Sequence, residues 1–188
     1  MTSRPPSFDA LQDGSPSAST ANLQVLFEDI YDELRGLARH MLHDGRRAVQ
    51  VSPTTVVHEA YVRLQKQCEG SWSSEAHFKS AAAQAMRHVL IDRARAAKTQ
   101  KRGGDWVRIS LPAAVASDDA VPVDVVVLDS LLTQLANIDP VGCRVVLMRI
   151  FGDMTIQEIA DCLDKSVRSI ERSWRAGRAW MATQLRDA

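Results

Sequence analysis

Apolar residues recur every three or four positions through most of the chain, which is the period of an amphipathic α-helix. The first stripe begins at Leu23, is widened by Phe27 and Tyr31, and is predicted to stop at Asp44-Gly45. Its repeating apolar positions are Leu26, Ile30, Leu34, Leu37 and Met41. Residues 1–21 are rich in Ser, Pro, Gly and Asp and sustain no apolar period, so we expect a disordered tail there.

Two further helices are predicted before residue 103. Ser52-Pro53 is a strong start signal, because Ser is a good N-cap and Pro suits the first helical position. A loop around residues 69–73 separates this helix from a long one over about 74–99, and Gly103-Gly104 closes the block. The long helix is expected to turn an apolar face inward, formed by Phe78, Ala82, Ala85, Val89 and Ala96.

Residues 104–129 are rich in Ala, Val, Asp and Pro and are predicted to form a flexible linker. Their Val121–Leu128 run is apolar enough for a strand, but Pro122 and the lack of an evident partner strand argue against one. A second helical block is expected from about Ser130, with a helix that starts at Asp139-Pro140 and ends at Gly152. The predicted fold class is therefore all-α, with two small helical domains.

The segment from Thr155 to Arg178 reads as two short helices with a tight break between them. The first has its apolar stripe at Ile156, Ile159, Ala160 and Leu163. Ser166 is a suitable N-cap for the second, whose inward face is predicted to be Val167, Ile170 and Trp174. Its other face carries arginines at 168, 172, 175 and 178, which suits a helix-turn-helix that binds the DNA major groove. The alternative is a solvated, arginine-rich surface helix.

The charge is unevenly distributed, although the formal net charge is zero. Residues 22–103 hold 13 Lys/Arg and 9 Asp/Glu, and residues 131–188 hold 8 and 7. Residues 104–130 hold one Arg and five Asp. Two neutral-to-basic blocks joined by an acidic connector are compatible with a nucleic-acid partner despite the zero sum.

The cysteines and the hydropathy of the chain indicate the cellular compartment. Cys68, Cys143 and Cys162 are far apart and lack metal-ligand spacing, so we expect a reduced cytoplasmic protein and no metal site. No stretch approaches the ~20 apolar residues that a membrane span needs. The polar N-terminus shows no signal peptide.

Three stretches together resemble alternative bacterial sigma factors of the extracytoplasmic-function (ECF) type. Val56–Leu64 looks like that family's polymerase-binding helix, and Met86–Arg95 like its promoter-melting helix. Val146–Arg149 with Thr155–Arg175 resembles its minus-35-reading domain. The resemblance implies a protein without catalytic residues or cofactors that binds core RNA polymerase and directs it to promoter DNA. It also implies that residues 22–103 are sigma region 2, 104–129 the linker and 130–188 sigma region 4.

The resemblance also implies a role for individual residues. Residues expected to contact polymerase are Thr54, Thr55, His58, Glu59 and Arg63. Those expected at the minus-10 element are Trp72, Arg87, His88, Arg93, Arg95, Lys98, Lys101 and Arg102. Those expected at the minus-35 element are Arg149, Ser166, Arg168, Ser169, Arg172 and Arg175. His88 and Ala81 stand where the family often has Asn and Trp, which changes the expected minus-10 preference.

One departure from the family suggests regulation. Many members begin the polymerase-binding helix with Asp-Ala-Glu-Asp, whereas this chain has Ser52-Pro53-Thr54-Thr55. Phosphorylation of Thr54 or Thr55 would restore about −1.5 to −2 charges at pH 7. This resembles the branch of the family that is controlled by Ser/Thr protein kinases. The alternative is that the four residues simply cap a helix.

Two other functions compete with a sigma factor. A conventional helix-turn-helix regulator would use its N-terminal helices to dimerise or bind a ligand, but it would not need the Met86–Arg95 motif and the basic cluster after it. An enzyme with an appended DNA-binding domain is disfavoured, because the chain has no P-loop, no zinc spacing and no credible nucleophile arrangement.

Overall fold

The computed structural model describes residues 18–42, 52–67, 74–100, 108–111 and 122–186. These residues form seven α-helices and two short strands, which confirms the all-α class. The helices are α1 (Ala18–Leu42), α2 (Pro53–Gln67), α3 (Glu75–Gln100), α4 (Val125–Ile138), α5 (Pro140–Phe151), α6 (Ile156–Leu163) and α7 (Val167–Arg186). The strands are β1 (Arg108–Ser110) and β2 (Pro122–Asp124).

The capping signals placed most helix starts correctly. Ser52 Oγ accepts a hydrogen bond from the backbone N–H of Thr55 at 3.1 Å, and α2 begins at the next residue, Pro53. Asp139 likewise caps α5 through the N–H of Gly142 at 2.8 Å. Helix α1 begins at Ala18, so the prediction of a disordered tail is wrong for residues 18–21, while residues 1–17 lie outside the described residues.

Helices α1, α2 and α3 pack around one apolar core. Phe27 lies at the centre of an aromatic group, with ring centroids 5.7 Å from Tyr31 and 4.4 Å from Tyr61. The predicted inward residues Phe78, Ala82, Ala85 and Val89 are buried. Ala96, near the C-terminal end of α3, is exposed, so its predicted inward placement is wrong.

The rejection of a strand in the Val121–Leu128 run is wrong for residues 122–124, which form β2, and correct for residues 125–128, which begin α4. Residues of β2 pair antiparallel with β1, with Val123 opposite Ile109. Proline is tolerated at the first residue of an edge strand, which is the place that Pro122 takes. The partner strand comes from the upstream part of the predicted linker, a pairing that the apolar pattern does not reveal. Ile109 and Val123 are buried in the main core, so the described parts of the linker are packed rather than free.

Helix α4 starts five residues before the predicted boundary at Ser130. Asp124 provides the cap, because its carboxylate accepts from the N–H of Val126 at 2.7 Å. Val125 and Leu128, which the prediction assigned to the linker, are buried. The division into two domains at these residues stays a prediction.

The two helical blocks pack against one another through α3. That helix contacts α4, α5 and α6, and one continuous cluster of buried apolar residues runs through both blocks. A Cβ added at Gly152 would lie 3.2 Å from the Cβ of Ala83, so the chain at the end of α5 closely approaches α3. Within the described residues no helix is both long and apolar enough to cross a membrane, and no cluster of three potential metal ligands occurs.

Candidate DNA and polymerase interfaces

Helices α6 and α7 form the predicted helix-turn-helix. A reciprocal capping box starts α6, in which the N–H of Glu158 donates to Thr155 Oγ1 at 3.2 Å and the N–H of Thr155 donates to Glu158 Oε2 at 2.7 Å. The turn is made by Asp164 in the left-handed conformation (φ 50°), which aspartate adopts more readily than most residues. Ser166 then caps α7 through the N–H of Ser169 at 3.2 Å.

The helix pair is held by a small core of its own. Ile159, Ala160 and Ile170 are buried together with Val145 and Met148 of α5. Val167 is predicted to face inward but is 37% exposed, so that part of the predicted inward face is wrong.

Helix α7 also packs tightly on α5. A Cβ at Gly177 would lie 2.7 Å from Val146 Cγ2, so only glycine lets the two helices approach this closely. This contact fixes the direction in which α7 leaves the turn, and therefore the direction of the side chains on its opposite face.

Most of the predicted minus-35 residues share one open groove on that face. The lining includes Ser166, Arg168, Ser169, Arg172 and Arg175. Arg175 forms an i,i+4 ion pair with Glu171 at 3.3 Å, and the two side chains are 76% and 46% exposed. An exposed pair of this kind contributes only about 0–1 kcal/mol, so a DNA phosphate or base edge can displace Glu171 at little cost.

Arg149 does not line this groove. Its Nη1 donates to the carbonyl of Met154, and its guanidinium lies 5.5 Å from the ring centroid of Trp174. Arg149 therefore links the end of α5, the segment before α6 and the middle of α7. A phosphate contact by Arg149 stays a prediction.

The basic residues predicted to bind the minus-10 element contact different partners in the structure. Arg87 and Arg95 both bond to Asp129 of α4, Arg93 bonds to Glu59 of α2, and His88 is exposed. Trp72, Lys101, Arg102 and the side chain of Lys98 lie outside the described residues. The structure thus brings Arg87 and Arg95 together, and both bind one carboxylate of the same chain.

The predicted polymerase-binding residues lie along α2. Arg63 of α2 pairs with Asp92 of α3 at 2.6 Å, and Glu59 of α2 accepts from Arg93 Nε of α3 at 3.2 Å. Two ion pairs therefore join α2 to α3, with the cation on α2 in one and on α3 in the other. The ring of His58 lies 6.1 Å from that of Tyr31. Thr54 and Thr55 are half-buried in the first turn, which contains no acidic residue.

A family model described as ECF sigma factor matches residues 7–187, which is nearly the whole chain. The chain belongs to the ECF sigma factor family. Searches of curated proteins and of solved structures returned no match. ECF sigma factors are non-enzymatic transcription initiation factors that act with core RNA polymerase on promoter DNA, which confirms the predicted function at this level.

Sequence reasoning missed a buried lysine in this sigma factor. Lys79 is 8% exposed, and its ammonium lies 2.9 Å from Glu33 of α1, 3.0 Å from Glu75 of α3 and 3.3 Å from Glu158 of α6. Burial opposes the charged form, but the hydrogen bonds that the Lys79 ammonium donates to Glu33 and Glu75, together with the nearby carboxylate charges, outweigh it and raise the pKa of Lys79. Only the Glu75–Lys79 spacing of four residues is visible in the sequence.

Acid should loosen the start of the helix-turn-helix in this sigma factor. Burial alone would raise the pKa of Glu158, but the hydrogen bonds from Thr155 and the ammonium of Lys79 lower it below its ordinary value. A lowered folded-state pKa contributes stability that is present above the unfolded value of about 4.3 and is lost as the pH falls through the folded pKa.

We therefore expect the melting temperature to fall as the pH decreases below about 4.3, with a smaller fall in Glu158→Gln. Calorimetry between pH 3 and 7 measures both, with Glu171→Gln as the control because Glu171 is outside the capping box. An equal acid dependence in wild type and Glu158→Gln would show that Glu158 does not contribute.

Proposed function

We propose that this ECF sigma factor binds core polymerase and opens the minus-10 element with residues 22–103, and reads the minus-35 element with residues 130–188. The observation that carries the proposal is the exposed arginine face of α7 in a capped helix-turn-helix. The family supplies core polymerase and promoter DNA as the partners. The assignment of each element to one block is the part that goes beyond the family.

Recognition by α7 follows from the shape and chemistry of its exposed face. A helix of this kind fits the major groove, and an arginine can donate two hydrogen bonds to the O6 and N7 of guanine. Arg168, Arg172 and Arg175 project from the first three turns of α7, where recognition helices contact bases. Ser166 and Ser169 are small donors beside them and can bond to phosphates.

Opening of the minus-10 element is assigned to α3 and the residues around it. The basic residues from Arg87 to Arg102 supply sequence-independent affinity for phosphates. An unstacked base also needs a surface to receive it, and Trp72 in the preceding segment offers one through stacking worth about 1–3 kcal/mol. His88, which is exposed on α3, is proposed to contact the minus-10 element as well.

Affinity for polymerase is proposed to depend on phosphorylation of Thr54 or Thr55 by a Ser/Thr protein kinase. With Ser52 as N-cap, these threonines are the second and third residues of α2. A phosphate there interacts favourably with the helix N-terminus and supplies the charge that the first turn lacks. The hydroxyls of Thr55 and Ser52 lie 2.8 Å apart, so modification of Thr55 would also rearrange the cap.

Binding stoichiometry tests the sigma-factor assignment against a conventional regulator. We expect one copy of the protein to bind core polymerase and the protein alone to have little specific affinity for duplex DNA, because two separate DNA surfaces need the polymerase to fix their spacing. Analytical ultracentrifugation with core polymerase, and DNA binding without it, measure the two quantities. Tight, sequence-specific duplex binding by a symmetric dimer would contradict the proposal.

A further inference from the structure

The helix assigned to promoter opening is held by the block assigned to minus-35 recognition. Asp129 of α4 accepts from Arg87 Nε at 3.0 Å and from Arg95 Nη2 at 3.3 Å. The side chains of Arg87 and Asp129 are only 17% and 15% exposed, so this pair is largely removed from solvent. Two of the cations assigned to DNA phosphates thus share one carboxylate of the same chain.

A second ionic contact joins the blocks nearer the start of α3. Lys79, two turns before Arg87, reaches Glu158 of α6, while Glu33 and Glu75 hold it from the first block. Lys79 is buried, so the ion pair is less screened than an exposed one.

Small residues let the helices meet between the two ionic contacts. Ala82 and Ala83 of α3 are fully buried, and Gly152 lies against Ala83. Phe151 at the end of α5 belongs to the same buried cluster as these alanines. The interface between the two blocks therefore consists of packed apolar residues in the middle of α3, with an ionic contact before them along the helix and another after them.

This arrangement cannot occupy a promoter at both elements. Elements centred at minus 10 and minus 35 are about 25 base pairs apart, or about 85 Å at 3.4 Å per base pair. In the structure α3 directly contacts α4, α5 and α6, the last being the first helix of the helix-turn-helix. The two DNA-reading surfaces must separate before they can engage their elements together.

We propose that the packed arrangement is an autoinhibited state of the sigma factor. In this state the carboxylate of Asp129 binds Arg87 and Arg95 in the place that a DNA phosphate would otherwise take. This inference rests on the proposed function of α3. The arginine face of α7 stays exposed in this state, whereas Arg87 is covered. Autoinhibition therefore acts on promoter opening and on the separation of the two DNA-reading surfaces. It does not cover the arginine face of α7.

The chain between the blocks is long enough to permit opening. Residues 101–124 connect α3 to α4, and 24 extended residues span about 80 Å at 3.3 Å per residue. Full extension requires the short β1–β2 ladder to separate and Ile109 and Val123 to leave the core. Opening is thus coupled to release of the strand pair, so contacts with polymerase must offset its loss.

The test compares Asp129→Asn with wild type in the full-length, unphosphorylated protein. The substitution keeps the side-chain shape and removes the charge that holds both arginines. We expect the ratio of open to closed molecules to rise about tenfold, the change expected for the loss of one charged hydrogen bond. Fluorescence energy transfer between non-natural amino acids at Lys66 of α2 and Ala179 of α7, both exposed, measures that ratio without cysteine labelling.

Matched variants separate this effect from charge and folding. Asp161→Asn removes the same charge from an exposed site on α6 and should leave the ratio unchanged. Asp129→Arg should open the protein further by repelling Arg87 and Arg95, and added salt should open wild type but have less effect on Asp129→Asn. Circular dichroism verifies that each variant is folded. If Asp129→Arg does not fold, the energy transfer of Asp129→Asn alone tests the proposal. Unchanged energy transfer in folded Asp129→Asn would overturn the proposal.

Transcription distinguishes failure of this inference from failure of the proposed function. With all proteins phosphorylated at Thr54 or Thr55 and core polymerase at limiting concentration, Asp129→Asn should initiate several-fold more than wild type, and Asp161→Asn should equal wild type. Opening without any transcription by either protein would contradict the proposed function and leave the closed state standing. Transcription by both proteins at one rate, with equal energy transfer, would overturn autoinhibition alone.

Discussion

Substitution of Thr54 and Thr55 by alanine together is expected to abolish promoter activity in cells while leaving the fold intact. A phosphate gives two to three acceptor oxygens to a basic surface, with charged hydrogen bonds of roughly 1.5–3 kcal/mol each before desolvation. Even one such contact changes polymerase occupancy by about tenfold or more, at 1.4 kcal/mol per tenfold. A reporter gene driven by the cognate promoter measures the effect, and circular dichroism checks the fold.

Three controls bear on the phosphorylation site. Thr183→Ala removes an exposed threonine of α7 and should leave reporter activity unchanged. Restoring the acidic run, with Ser52→Asp, Thr54→Glu and Thr55→Asp, should give partial activity that does not need the kinase. A single Thr→Glu supplies one charge and should rescue less. Full activity of the double alanine variant would show that Ser52–Thr55 only caps α2.

The second large effect is expected on the exposed face of α7. Arg172→Ala or Arg175→Ala should each weaken minus-35 recognition by about 1–3 kcal/mol, if the side chain reads a base edge. That loss corresponds to about 5- to 150-fold in affinity. Neither substitution should unfold the helix, because both side chains are exposed and the Arg175–Glu171 pair is weak.

Promoter libraries distinguish base reading from phosphate binding. Loss of Arg172 or Arg175 should relax the preference at one position, whereas Arg149→Ala should weaken all promoters evenly. Because Arg149 bonds to the carbonyl of Met154 and lies over Trp174, its variant needs a melting measurement as well. Arg144→Ala, exposed on α5, is the matched control. Unchanged transcription in all three arginine variants would show that the recognition face lies elsewhere.

Local signals explain what the sequence could predict. The starts of α2, α5, α6 and α7 follow from side chains that cap neighbouring backbone N–H groups, so each is encoded within about four residues. The exposed arginine face of α7 follows from the helical period of its apolar residues. The polar residues of a helix that packs on one side must point outward, and Arg168, Arg172 and Arg175 do so.

The errors share a physical cause, which is contact between distant segments. Val123 pairs with Ile109 across a stretch of chain that gives no local sign of a partner, so β2 was missed. The four-residue spacing of Lys79 and Glu75 is visible, but the partners of Lys79 on α1 and α6 are not. In the sequence Asp129 is one of several acids of the predicted linker, whereas in the structure it is the carboxylate that holds Arg87 and Arg95.

Run-off transcription with purified core polymerase tests the central claim most directly. The template carries a promoter selected with this protein, and the unmodified sigma factor is compared with protein phosphorylated at Thr54 or Thr55. We expect a specific transcript from the phosphorylated protein that is at least about tenfold more abundant than from the unmodified one. Equal transcript from both forms would contradict control by phosphorylation, and no specific transcript from either form would contradict the assignment of its promoter-reading surfaces.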